Sequence, residues 1–112
     1  MVGATVLAVA GGVLGVRSIG DRVLHFDREF HAKFAKVQLG MSEVDLLQLL
    51  GRPLEESDKF YLGQREGFEA EYARAAESGA KRFLIWRNGV DVVYAVGLND
   101  SGAVVIASYG GT

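Results

Sequence analysis

Three features of the sequence predict an α+β domain. The first third carries apolar residues at a helical rhythm, and residues 42–51 form a short helix with a start and a stop. The last third holds three β-branched and aromatic runs separated by turn residues. The expected architecture is helices packed on one face of a three-stranded antiparallel meander, or a four-stranded one if a weaker run at 55–62 joins it. A chain of 112 residues has room for one core. Residues 1–17 read as an apolar N-terminal segment and 18–112 as the domain. Hydrophobic residues at 49% and charged residues at 23% suit a packed globule rather than a disordered chain. The net charge of -2 gives no pull toward nucleic acid. With no cysteine, disulfides, thiolate chemistry, cysteine zinc sites and a lipidated cysteine are excluded.

Residues 2–16 carry no charge. As a helix they reach roughly 22 Å, short of the about 30 Å hydrocarbon core but enough for an anchor in thinned lipid or a signal core. Only Met1 precedes the run, so it reads as an uncleaved anchor, or as a signal core whose basic leader lies upstream. Gly11 and Gly15 form a small-xxx-small pair that lets two such helices approach. The alternative is a hairpin within the domain, with strands at 5–10 and 13–16 around Gly11-Gly12. Arg17, Arg22 and Arg28 follow the run, a bias that leaves the domain on the cytoplasmic side.

Ile19, Val23, Phe26, Phe30, Phe34 and Val37 recur at three- and four-residue steps and predict one amphipathic helix. Inside it, His25 and Glu29 share one face, as do Asp27 and His31, each pair at metal-ligand spacing. The two faces diverge and no third ligand accompanies either, so the run reads as a solvated face of mixed charge.

The next helix is punctuated at both ends. Ser42 is a natural N-cap, because its hydroxyl accepts from a free N–H of the first turn, and Asp45 favours the positive helix end. Met41 and Leu46 occupy hydrophobic-staple positions, and Val44, Leu47 and Leu50 supply the expected buried face. Gly51 can close the helix in the left-handed conformation, and Pro53 prevents its resumption.

Residues 81–87, 90–98 and 103–109 are the meander strands. Asn88-Gly89 suits a two-residue hairpin turn, which sets Arg87 opposite Val90 and Leu84 opposite Val93. That register puts Phe83, Ile85, Tyr94, Val96 and Leu98 under the helices, and Leu84, Trp86 and Val93 on the other face. Residues 64–78, with Phe68 and Tyr72 at i,i+4, form a short amphipathic helix or a long loop. Either this segment covers the second face, or Leu84, Trp86 and Val93 stay open as a partner-contact patch. Between residues 43 and 71, eight acids against three bases make the middle of the chain acidic.

Gly40-Met41-Ser42-Glu43, then Leu50-Gly51-Arg52-Pro53, then Trp86 in a strand, then Val96-x-Leu98-Asn99-x-x-Gly102-x-Val104 form a recognisable order. This order resembles the SmpA/OmlA (BamE-like) family of small envelope domains. The likeness spans residues 36–109 with an extra segment at 64–79. Gly40, Met41, Ser42, Gly51 and Pro53 carry the scaffold motif. The resemblance implies two helices on an antiparallel meander and a non-enzymatic role supporting outer-membrane protein assembly, or a protein-inhibitor role in relatives of the same fold. It places the domain in the cell envelope, opposite to the arginine bias. The lipoprotein cysteine of that family is missing, so anchoring falls to residues 2–16. No nucleophilic elbow and no phosphate-binding glycine loop is present in the sequence. Expected, then, are no catalysis, no cofactor, no small-molecule substrate, a protein partner, and contact with a membrane through the N-terminal segment. The alternative is a soluble binding or inhibitor module that uses the outer sheet face.

Overall fold

The computed structural model describes residues 26–111. The run at 2–16, together with Ile19, Val23 and His25, lies outside the described residues. The elements are α1 (Arg28–Phe34), α2 (Glu43–Leu50), β1 (Glu55–Ser57), α3 (Glu69–Glu77), β2 (Arg82–Asn88), β3 (Val92–Leu98) and β4 (Val104–Gly110). The fold is α+β. All four strands join one antiparallel sheet in the order β1-β2-β3-β4, with the run at 55–62 supplying the short first strand.

Among the described residues, the expected long helix begins at Arg28. Asp27 is extended, at φ -90° and ψ 104°, and its carboxylate accepts the Phe30 N–H at 3.1 Å as an N-cap. A tertiary contact holds it there. The Asn88 side chain accepts from the Asp27 N–H at 2.6 Å, which takes that N–H out of any helix ladder, and donates at 2.8 Å to the Asp27 carbonyl, which also accepts the first helical bond from the His31 N–H at 3.2 Å.

The second helix starts and stops where its signals place it. The Asp45 N–H donates to Ser42 Oγ at 3.1 Å, and Gly51, at φ 81°, donates its N–H to the Leu47 carbonyl at 2.8 Å. Its buried face differs from the expected one. Leu46 and Leu50 are the buried pair, with Leu47 and Leu49 partly covered, while Val44 is 65% exposed. Each of the two buried leucines contributes on the order of 1.5–3 kcal/mol from the area removed from water.

The register of the β2–β3 hairpin also departs from expectation. Asn88 pairs with Val92, Trp86 with Tyr94 and Leu84 with Val96, so Gly89, Val90 and Asp91 form a three-residue loop. Asn88 is a buried strand residue whose amide is committed to Asp27 and to the Tyr94 hydroxyl, and it is therefore withdrawn from the turn. The shift is three residues, an odd number, and so exchanges the faces of β2 relative to β3.

Two cores result. Leu84 and Trp86 join Tyr94, Val96, Leu98 and Val104 beneath Phe34, Leu46 and Leu50 of α1 and α2. On the opposite face, Phe83 and Ile85 join Val93, Ala95 and Ile106 beneath Leu62 and Ala75, with Phe60, Phe68 and Tyr72 packed around them. The 64–78 segment thus covers a sheet face, as one of the two expectations had it. The residues it covers are Phe83 and Ile85 rather than Leu84 and Trp86. Gly97 sits where a Cβ would come within 2.8 Å of the Phe83 ring and 2.7 Å of Ile106, so this close approach has no room for a side chain.

Candidate interaction surface

Both sheet faces are closed. Leu84 is 1% exposed, Trp86 4% and Val93 1%, with the first two under α1 and α2 and the third under α3. The three residues expected to share an open patch therefore lie on opposite faces, and the flipped register is the reason. The Trp86 indole N–H donates to the Gly51 carbonyl at 3.3 Å, tying the sheet to the end of α2.

The scaffold motif wraps the start of β4. The Gly40 N–H donates to the Val104 carbonyl at 2.8 Å, the Val104 N–H donates to the Met41 carbonyl at 2.9 Å, and Ser42 bridges Ala103. Beyond Gly51, Pro53 leads into β1, where the Leu54 N–H donates to the Ile85 carbonyl at 2.7 Å.

At the other end of α2, Arg82 donates two hydrogen bonds to the Glu43 carboxylate and lies 3.4 Å from Glu56. The hydrogen bond to Arg82 holds the Glu43 carboxyl below its usual value, and the same contact raises the guanidinium.

Of the metal-spaced residues, Asp27 and His31 make structural contacts, and His25 lies outside the described residues. Asp27 caps α1, and His31 Nδ1 lies 2.8 Å from the Tyr94 hydroxyl, which also accepts from Asn88 at 3.0 Å. Burial pushes the Tyr94 phenol above its ordinary value, against the opposing effect of the Asn88 hydrogen bond. Rings of Phe30, Phe34 and Tyr109 pack around Tyr94, with Tyr109 edge-on to His31 at 4.8 Å. Among the described residues no group of three His, Asp or Glu side chains is placed to hold a metal.

What stays open is an edge. The Lys81 N–H donates to the Leu98 carbonyl at 2.7 Å, so Leu98, Val96 and Tyr94 turn their backbone groups toward β2. Ala107 and Tyr109 pair with Val96 and Tyr94, and so turn their own N–H and C=O away from the sheet. Gly40 and Met41 occupy this edge at Val104, and from Val105 onward no backbone group of another described residue reaches it.

The strand Val104–Gly110 holds no charged residue and no proline. Two hollows of about 360 Å³ each run along it and share Arg74, Ala107 and Ser108. One wall is Phe34 at the end of α1 with Ala35 and Val37 beyond it, and the other is Glu71, Arg74 and Glu77 of α3. Leu39, 72% exposed, stands at one end, and Tyr109, 51% exposed, at the other.

Reading faces from the sequence missed this surface, although a signal was there. The last run of a meander lies at an edge unless another strand follows it, and this run lacks the lysine or proline that guards such edges.

Comparison with protein-family models, with curated proteins and with solved structures finds no match. Among the described residues, no helix is long and apolar enough to cross a membrane.

Proposed function

We propose that the protein is a non-enzymatic interaction domain of the bacterial cell envelope, tethered through residues 2–16, that takes its protein partner as an extended strand along β4. The observation that carries this reading is the uncharged edge at Ala107 and Tyr109, unpaired among the described residues and set between two walls. Strand addition draws affinity from main-chain hydrogen bonds and specificity from flanking hollows, and this edge offers both. The resemblance of the Gly40–Pro53 motif to the SmpA/OmlA family and the apolar run at 2–16 favour the envelope and the tether. Closure of both sheet faces moves the contact from Leu84, Trp86 and Val93 to the edge.

Site-directed photocrosslinking tests the contact. A photoreactive phenylalanine analogue at position 107, in cells expressing the full chain, is expected to give a protein adduct that the same analogue at position 56 does not. Equal adducts at the two positions, or none at 107, would refute it. Alkaline carbonate extraction tests the tether. The full chain is expected in the membrane pellet and a chain lacking residues 2–16 in the supernatant, and release of the full chain would remove the tether from the reading.

A further inference from the structure

We infer that the strand accepted at β4 belongs to a second copy of this chain, paired antiparallel, β4 to β4, about a two-fold axis at Ser108. This inference rests on the strand-addition reading. The edge is self-complementary about that residue. Ala107 and Tyr109 present the outward N–H and C=O groups, one on each side of Ser108, whose own groups face Ala95 of β3. Setting Ala107 of one copy opposite Tyr109 of the other, twice, matches every outward donor with an acceptor. A shift by one residue sets each outward group against a residue whose own groups face β3, and leaves it unmatched.

Side chains agree with the backbone. Ala107 and Tyr109 project on the α1 side, so each copy's exposed tyrosine ring lies over the other's small Ala107 and against its Ala35 and Val37 wall. Gly110 falls opposite Ile106, which leaves room at the ends of the pairing.

The charges complement as well. Glu71 flanks the hollow along Ala107–Tyr109 and Glu77 the hollow along Val105–Ser108, with Arg74 in both, so α3 runs antiparallel to β4. The two-fold axis carries Arg74 of each copy toward Glu71 of the other. In the single chain the Arg74 side chain is 60% exposed and already pairs with its own Glu71 at 3.6 Å, leaving donors of the guanidinium for the second copy. No charge of β4 itself enters the seam. Such an isologous contact closes on itself and consumes the open edge, leaving an eight-stranded sheet bounded by two copies of β1.

The chain has no cysteine, so single cysteines report proximity without background. In an antiparallel pair without mutual hydrogen bonds, opposed Cα atoms lie about 4.5 Å apart, inside the roughly 4.4–6.8 Å range of disulfides. Ser108→Cys in the full chain, oxidised in intact cells, is expected to form a disulfide dimer about tenfold faster than Glu56→Cys on the opposite edge. Adding Ala107→Lys is expected to abolish it, with folding checked by the thermal melt of that variant. Arg74→Glu is expected to slow it, and Arg74→Glu with Glu71→Arg to restore it. A Ser108→Cys chain that stays monomeric, or one that crosslinks no faster than Glu56→Cys, overturns the pairing of copies. The adduct at position 107 separates this failure from that of the wider reading. A mass other than twice 12.1 kDa leaves strand addition standing with a different partner.

Discussion

The two edges of the sheet are built on opposite principles. β1 is three residues long, and two of them are Glu55 and Glu56, both exposed, with Glu56 within reach of Arg82. A neighbouring strand pairing there would have to desolvate those carboxylates, and so the edge guards itself. β4 is seven residues long, without charge, and walled on both sides. Among the described residues, one sheet therefore carries a guarded edge and an open one. A domain that needed only solubility would guard both, and the asymmetry is the strongest functional signal in the molecule.

The largest expected effect tests what holds the wall beside β4 in place. Asn88→Ala removes both hydrogen bonds to the Asp27 backbone and one to Tyr94, leaving buried groups unpaired at a cost of about 2–4 kcal/mol. Urea unfolding measures this cost. Hydrogen exchange is expected to show α1 losing protection before β1 and α3, and retained α1 protection would mean that the wall does not depend on the clamp.

Ser42→Ala is next, at about 1 kcal/mol, because the Asp45 N–H loses its cap. Its readout is the thermal midpoint, with Val44→Ser, at an exposed position of the same helix, as the silent control.

The two ends also differ in their response to pH. The folded Glu43 carboxyl titrates below its unfolded value of 4.5, so its contribution is present above that pH and is lost as the pH falls through the folded value. The pair with Arg82 is about one-third exposed, which limits the contribution to about 0.5–1 kcal/mol. Glu43→Gln is expected to flatten the acid limb of a stability-against-pH curve. The Tyr94 phenol is raised above 10.0, so its stabilising contribution is present below pH 10 and declines as the pH rises toward the folded value. Tyr94→Phe is expected to remove that alkaline loss and leave the acid limb untouched.

A small effect on stability accompanies the change in association. At concentrations where the chain is monomeric, Ala107→Lys, at a half-buried position, and Glu56→Lys, which loses its contact with Arg82, are each expected to cost no more than about 1 kcal/mol by urea midpoint. In sedimentation, self-association is expected to be lost in the first and kept in the second. Equal behaviour of the two would erase the distinction between the edges.

Much of this was readable along the chain because it is local. Ser42, Gly51 and Pro53 act on groups within a few residues of themselves, and the helix they bound is present. The three long strands are likewise where β-branched and aromatic residues concentrate. Val44 was misassigned to the buried face because a short helix lets more than one stripe fit the same leucines. The patch of Leu84, Trp86 and Val93 failed as a unit because it depended entirely on register.

Composition, caps and turn residues thus settled that helices and strands would form and roughly where. Pairing, faces and edges came from contacts that no local window contains. Asn88-Gly89 by itself favours a two-residue turn, and the three-residue loop runs against that local preference. The balance was tipped by an amide 61 residues distant from the backbone it binds. That long-range contact accompanies a ladder shifted by an odd number, which decides the side chains each helix covers, while the separate pairing of β3 with β4 turns Ala107 and Tyr109 outward with no described backbone beyond them.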